Sequence, residues 1–251
     1  DRVVLMHYVD PFGNENEDVL NYAYLNSKYQ TGWRNLMDVA VLDYFASKKK
    51  TLLFTNVSKI DEIPFDFSRR RLSVALSLAD ERVMITKGAV EEMAEVCSSV
   101  LVNGEKVALT PDLIEQMKAV NIKMNQDGMR VITVAQKTID SDVIRIADEN
   151  NLTIIGFIGF LDPAKASAIT AISSLQAHGV TVKVLTGDNA IVAQKVCADV
   201  GINAEHYLLG SDIDGMSDAE LTEQAEHLHL FAKLNPMQKE RVIGLLKQKD
   251  H

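Results

Sequence analysis

Val182-Lys183-Val184-Leu185-Thr186-Gly187-Asp188-Asn189 is a β-rich apolar run that stops at a polar turn and passes directly into a helical pattern. In an open α/β sheet, the tip of a strand where a helix begins is where phosphate chemistry usually sits. The segments around it keep the same rhythm. Ile154 to Phe160 reads as a buried strand, Asp162 offers an N-cap, and Pro163 stands at a first helical position. The next helix is expected to reach about His178, with Gly179 ending it. Val180 to Leu185 is then a strand, and Ala190 to Val200 a helix closed by Gly201. A short helix from Ser217, a strand from His229 to Lys233 and a last helix opened by Asn235-Pro236 complete the series. Strand–helix alternation at this spacing predicts a parallel, doubly wound sheet over 151–251.

The first part, 1–150, has a different grammar. Leu72, Val74, Leu76 and Leu78 alternate with Ser73, Ala75, Ser77 and Ala79, and Ala79-Asp80-Glu81-Arg82 can turn the chain back into Val83 to Lys87. That is an antiparallel hairpin. Asn103-Gly104 signals a second one. Helical patterns flank them over 17–29, 33–45, 89–98 and 111–126. The expected fold class is α/β overall, with an α+β domain built on an antiparallel sheet joined to the parallel one. The boundary is expected near Glu149-Asn150-Asn151.

A formal net charge of -9 excludes nucleic acid as a partner, because a phosphate backbone needs a basic face. Lys48-Lys49-Lys50 reads as a solvated loop. Cys97 and Cys197 lie far apart in apolar, helix-like contexts and read as buried free thiols of a reducing compartment. No apolar run has the length of a membrane span, and no signal peptide opens the chain. Both ends of the chain read as cut ends. The six histidines form no metal set, and the P-loop and dinucleotide glycine motifs do not occur.

Several residues could carry chemistry. Thr186 can bond a phosphoryl oxygen, Gly187 lets a backbone approach, and Asp188 can either cap the following helix or orient a metal cluster. Lys233 ends a strand. Lys239 falls in a first helical turn, where a cation opposes the helix dipole, so it reads either as phosphate-facing or as a solvated lysine. Pro64 to Arg71 sets aromatic rings beside three arginines: a base-stacking and phosphate-pairing segment, or an edge strand guarded by charge. Lys87-Gly88 ends a strand and can face a ligand or simply turn the chain.

Taken together and in this order, these segments resemble the cytosolic catalytic head of the P-type ion-pumping ATPases. Thr31-Gly32 and Asp38 look like the family's glycine-to-acid segment, and Phe67-Ser68-Arg69 like its adenine-stacking motif. Lys87-Gly88-Ala89-Val90-Glu91 is similar to its K-G-A-x-E lysine, and Gly128-Met129-Arg130 to its G-x-R strand. Asp162-Pro163-Ala164-Lys165 resembles the D-P-x-R/K hinge, Thr186-Gly187-Asp188 the T-G-D loop, and Phe231 to Lys239 the F-A-R/K…P…K motif. The wording of 35–42 and 65–74 is most similar to the bacterial magnesium-importing branch.

The resemblance implies a nucleotide-binding domain over 1–150 and an incomplete haloacid-dehalogenase-like phosphorylation domain over 151–251. It implies ATP as ligand and catalytic Mg2+ held largely by residues outside the chain. Phe67, Ser68 and Arg69 would then grip adenine, Asp38 would accept from its exocyclic amine, and Lys87 and Gly88 would line the pocket floor. Arg130 would neutralise the polyphosphate, and Thr186, Gly187, Asp188, Lys233 and Lys239 would cradle the transferred group. Asp162 and Lys165 would form the hinge. The parent would be an ATP-hydrolysing pump at the cytoplasmic face of a bacterial inner membrane. Its partners would be its own transmembrane and actuator domains, with Mg2+ as the cargo.

This chain departs from the family's pattern in three places. No D-K-T-G-T loop and no G-D-G-x-N-D loop occurs, so the phosphorylated Asp is expected upstream of Asp1 and the chain alone is expected to be inactive. Many relatives carry a Lys where Leu72 stands, with Arg71 as a candidate substitute. A capped soluble phosphatase and a non-catalytic nucleotide sensor are the alternative readings.

Overall fold

Strands buried on both faces build the larger of two compact units. The computed structural model describes residues 3–32, 34–79 and 81–248. The larger unit takes in the described residues up to Met124 together with Val131–Asp162, and the smaller takes in Asn125–Arg130 and the residues from Pro163 on.

In chain order the first elements are β1 (Val4–Val9), α1 (Glu17–Tyr29), α2 (Leu36–Ser47), β2 (Val57–Asp66), β3 (Arg71–Leu78), β4 (Glu81–Ala89) and the one-turn α3 (Val90–Ala94). β5 (Cys97–Val102), β6 (Glu105–Ala108), α4 (Pro111–Gln126), β7 (Met129–Thr138) and β8 (Leu152–Leu161) follow. The strands lie in the order β2-β3-β4-β7-β8-β5-β6, with β1 also paired to β8. The β2–β3, β3–β4, β4–β7, β5–β6 and β1–β8 ladders are antiparallel, and β5–β8 is parallel.

The period of two sends successive side chains to opposite faces. Leu72, Val74, Leu76 and Leu78 join Val83, Ile85 and Val134 against Leu20 and Leu25 of α1 and Val41 and Phe45 of α2. Ala75, Met84 and Ala135 face the other way, onto Ile63, Met93, Ile144 and Leu152. Each fully buried Leu or Ile stabilises the fold by roughly 1.5–3 kcal/mol. The hairpins form where expected. Leu78 partners Glu81 across the first turn, with Ala79 at φ +54° and Asp80 outside the described residues. Asn103 and Gly104 both have positive φ, +52° and +84°, as a two-residue primed turn requires.

Three expectations of this region are corrected. The division between units falls at Asp162–Pro163, not near 149–151, because β8 ladders with β1 and β5 of the larger sheet. Its unbroken apolar face, expected in a parallel doubly wound sheet, is instead an internal strand here. The helix expected over 89–98 stops at Ala94, and Cys97 begins β5, so Cys97 is not helical. β-branched and small residues over Ser98–Val102 can close ladders on both sides, which outweighs their weak helical preference. β2 is a further strand that the alternation did not announce, since its pattern is broken by bulges.

The smaller unit contains α5 (Ala166–Ala177), β9 (Val184–Leu185), α6 (Ala190–Asp199), β10 (Tyr207–Leu209), α7 (Gly210–Gly215), α8 (Asp218–His227), β11 (Leu230–Ala232) and α9 (Pro236–Gln248). Its three strands are parallel in the order β10-β11-β9. Gly179 and Gly201, at φ +77° and +79°, end α5 and α6 as read from the sequence. Ser217 caps α8 reciprocally with Glu220, and Asn235 caps α9 reciprocally with Gln238. The strand expected over 180–185 shrinks to Val184–Leu185, because only those residues reach β11. Asp162 is not an N-cap: 162–165 is irregular, and α5 opens at Ala166 after Lys165, which holds the cap position.

Gly156 of β8 marks the tightest approach. A Cβ there would lie 2.1 Å from the Val9 carbonyl oxygen and 2.6 Å from a Val19 methyl. Gly244, inside α9, has open space around it. Gly156→Ala is therefore expected to destabilise by about 1–3 kcal/mol, whereas Gly244→Ala is expected to stabilise by about 1 kcal/mol. Urea midpoints of the two variants against the parent chain would check this, and shifts of the same sign would contradict the packing described.

Candidate functional site

Between β2 and β3 the chain makes a tight turn over 67–70. Arg70 takes φ +46° and donates its amide to the Asp66 carbonyl at 2.7 Å. Asp66 Oδ1 accepts from the Ser68 and Arg69 amides at 2.9 and 3.0 Å, and from the Ser68 hydroxyl. The Ser68 hydroxyl and these amides hold the Asp66 carboxyl below its usual range. Phe67 stands out from this turn with its residue 88% exposed, and Phe65 beside it is 48% exposed. Their rings meet edge to face at 5.2 Å.

Ser68 and Arg69, expected to contact a ligand, are instead built into the turn. Arg69 Nη1 meets Glu149 Oε2 at 2.5 Å, and its Nη2 donates to the Pro64 carbonyl at 2.8 Å. Arg71 Nε donates to the same Glu149 oxygen at 2.9 Å. Ser73 Oγ donates to Glu149 Oε1 at 2.7 Å and shares a hydrogen bond with the Thr86 hydroxyl at 2.8 Å. Glu149 itself was missed as a functional residue. It reads as one acid in a polar stretch, and its arginine partners lie 78 and 80 residues away.

The opposite face of the sheet carries the second group. Lys87 follows Val83 and Ile85 on the face covered by α1 and α2. Its Nζ lies 2.5 Å from Asp38 Oδ1 and 2.6 Å from Ser27 Oγ. Ser27 Oγ donates to Asp38 Oδ1 at 2.9 Å, and Gln30 Nε2 donates to Asp38 Oδ2 at 2.6 Å. Asp38 reaches this position because Asn35 caps α2 and accepts its amide at 2.9 Å. Burial works to raise the Asp38 carboxyl, but the Lys87 charge and the bonds from Lys87, Gln30 and Ser27 outweigh it and hold it low. Burial pulls the Lys87 ammonium down, against the pull of Asp38.

Asp38, read from the sequence as a base acceptor, is here a buried partner of Lys87: it is 1% exposed, and its oxygens take these donors. Lys87 is likewise a wall residue, 7% exposed. Gly88 serves packing, since a Cβ there would lie 2.6 Å from Arg71 Cβ across the ladder and 2.9 Å from Met93.

In the smaller unit the T-G-D turn is zipped to the segment after β11. Thr186 N donates to the Phe231 carbonyl, Leu234 N to the Thr186 carbonyl and Lys233 N to the Asp188 carbonyl, each at 2.9 Å. Lys233 takes φ +53° to make this possible. Gly187 lies under the Leu234 carbonyl, 3.3 Å from where a Cβ would be. Thr186 Oγ1 donates to Asp188 Oδ2 at 2.9 Å, and Arg130 Nη2 donates to the same oxygen at 2.8 Å. Asp188 is not the helix cap: Asn189 caps α6 by accepting the Ile191 amide. Lys239 sits half-buried in the first turn of α9. Asp162 and Lys165 bound the irregular segment before α5. Asp212 and Asp214 lie in α7, where they accept from the Leu209 amide and the Gln238 side chain. Burial raises both thiols, Cys97 to about 12.

Residues 16–167 match the family described as P-type ATPase, cytoplasmic domain N. The chain belongs to that family. Its whole length is 45% identical to "Magnesium-transporting ATPase, P-type 1" of Escherichia coli (strain K12) and 44% identical to the protein of the same name in Salmonella typhimurium. It is 28% identical over 94% of its length to "Calcium-transporting ATPase 1" of Bacillus cereus. The chain spans 28% of the length of the magnesium-transporting relatives. The family match takes in the aromatic turn, Glu149 and the Asp38–Lys87 pair, which therefore belong to domain N. It also runs past Asp162, in accord with β8 closing the larger sheet.

Removing one partner of a buried ion pair strands the other. In this domain N, Asp38→Ala is expected to cost about 3–5 kcal/mol, and Asp38→Ala with Lys87→Met markedly less than the sum of the single changes. Because the folded Asp38 carboxyl titrates below its unfolded value of about 3.9, its contribution is complete above that pH and is lost as pH falls through the folded value. The stability gap between the parent chain and Asp38→Asn should thus narrow on acidification below about pH 4. Denaturation midpoints from pH 7 downward would show a constant gap if the pair does not exist.

Proposed function

We propose that the chain is the ATP-holding part of the cytosolic head of a magnesium-transporting P-type ATPase. The observation that carries this reading is Phe67: a large ring, 88% exposed, held outward on a turn fully occupied by internal hydrogen bonds. An exposed ring gains nothing for the fold, whereas stacking on a nucleobase contributes roughly 1–3 kcal/mol. The names of the relatives supply the cation, and the family supplies the head.

In this reading the adenine lies on Phe67, with the Asp38–Lys87 pair bracing the wall behind the sheet's other face. Arg130, Thr186, Asp188, Lys233 and Lys239 handle the transferred phosphoryl group. The Thr186 hydroxyl and the Arg130 guanidinium hold the Asp188 carboxylate in one orientation. The smaller unit, with its parallel strands, is the haloacid-dehalogenase-like phosphorylation domain in part. Asp162 and Lys165 form its hinge to the nucleotide-binding domain. Mg2+, when bound with ATP, neutralises phosphate charge. The nucleophile is an Asp carboxylate of the whole protein that these residues do not encode, and it forms an aspartyl-phosphate. The membrane and actuator parts of that protein couple this step to transport at the cytoplasmic face of a bacterial inner membrane. Among the described residues no helix is long and apolar enough to cross a membrane.

Stacking of about 2 kcal/mol and one or two charge-assisted bonds of about 1.5–3 kcal/mol each stand against an association cost of at least about 4 kcal/mol. The chain is expected to bind ATP with a Kd of about 0.1 to several mM and to show no turnover. Titration of amide resonances with ATP should move the neighbourhood of Phe67, and Phe67→Ala should weaken binding at least about fivefold. Unmoved resonances at several millimolar ATP would end the proposal, and measurable hydrolysis by the pure chain would end its mechanistic half.

A further inference from the structure

We propose that Glu149 is the positioning residue of the nucleotide site, acting through Arg69 to hold the Phe67 ring where a base can stack. The inference rests on the reading of Phe67 as the base platform. The Glu149 side chain has no exposure at all, yet it lies far in sequence from the turn it supports. A carboxylate in that environment must be paired and hydrogen-bonded, or it destabilises the fold. Its partners come from one place. Oε2 takes Arg69 and Arg71, and Oε1 takes Ser73, so every donor belongs to the turn or to the start of β3.

Phe67 has no core of its own. It touches Phe65 edge-on and is otherwise in solvent, so the backbone of 66–70 sets the direction of the ring. Two devices fix that backbone. Asp66 fixes it locally, through the Ser68 and Arg69 amides. Glu149 fixes it from outside, because the guanidinium it holds also donates to the Pro64 carbonyl of β2. One planar fork thus ties the strand before the turn to a buried anion beneath it. The Glu149 backbone is anchored in turn, its amide donating to the Ile146 carbonyl at 3.1 Å just before β8 begins. An exposed platform that is ordered in advance avoids the entropy cost of ordering on binding.

The pairing also fixes what the turn offers a ligand. Arg69 and Arg71 are engaged by Glu149, so neither guanidinium is presented to a phosphate. Arg70, paired with Glu92 at 3.1 Å, is the arginine of the turn whose side chain stays exposed beside the ring.

The test uses Glu149→Gln in the chain, with Arg69→Gln as the second variant if the first fails to fold by circular dichroism. Two quantities are read: amide hydrogen exchange, and ATP affinity with and without Phe67→Ala. Exchange at Ser68, Arg69 and Arg70 should speed up, while the β3–β4 ladder keeps its protection. ATP affinity should fall about fivefold, a part of the stacking contribution. In the Phe67→Ala background the same change should have no further effect, since there is no ring left to position. Unchanged exchange in the turn overturns the proposal. So does an equal loss of affinity with and without the ring, or unchanged affinity in a folded variant. If the parent chain binds no ATP although the turn loosens as expected, the nucleotide reading fails, and Glu149 is left only as a brace of the turn.

Discussion

A carboxylate with no access to water, Glu149, is the constraint on which the larger unit's candidate site depends. Burial of an unpaired anion would cost several kcal/mol. The chain around it is arranged so that this never arises: two guanidinium groups and one hydroxyl converge on its two oxygens. Because the donors come from the turn and from β3, the electrostatics of one buried group dictates the shape of an exposed one. The backbone beneath the exposed Phe67 ring is tied by the hydrogen bonds to Asp66 and, through Arg69, to Glu149.

The sheet separates two charged assemblies by its period of two. On one face Lys87 meets Asp38 under α1 and α2, and on the other Glu149 meets Arg69 and Arg71. Asp38 and Lys87 balance one another, whereas the single Glu149 carboxylate is shared by two guanidinium groups. The surrounding clusters are apolar, so each pair is screened little and is sensitive to loss of one member.

In the smaller unit the same economy is reached with backbone rather than side chains. Three main-chain bonds join the T-G-D turn to residues 231–234. They fix Thr186 and Asp188 without using the groups that phosphate chemistry would need. The Asp188 carboxylate, shared by the Thr186 hydroxyl and Arg130, is freed from helix capping because Asn189 does that work.

Local signals were legible wherever a short stretch of chain decides its own conformation. The alternation of Leu72 to Leu78, the Asn103-Gly104 turn, the helix stops at Gly179 and Gly201 and the Asn235-Pro236 start all follow from sterics within a few residues. The motif order and the presence of an aromatic at Phe67 were legible too, because they are properties of the sequence itself, whereas its exposure came from the fold. What only the tertiary structure decided is which charges meet. Asp38 and Lys87 are 49 residues apart, and Arg69 and Glu149 are 80 apart, and no periodicity links them. The fate of β8 was decided in the same way. An apolar run of this kind says only that both faces are buried, and its antiparallel ladder to β1 and parallel ladder to β5, with Gly156 close to the Val9 carbonyl, decided which sheet it joins. Sequence determines the local dihedral preferences and the pattern of faces. Long-range pairing of buried charge and strand edges is settled only when the chain closes on itself, because those energies exist only between groups already brought together.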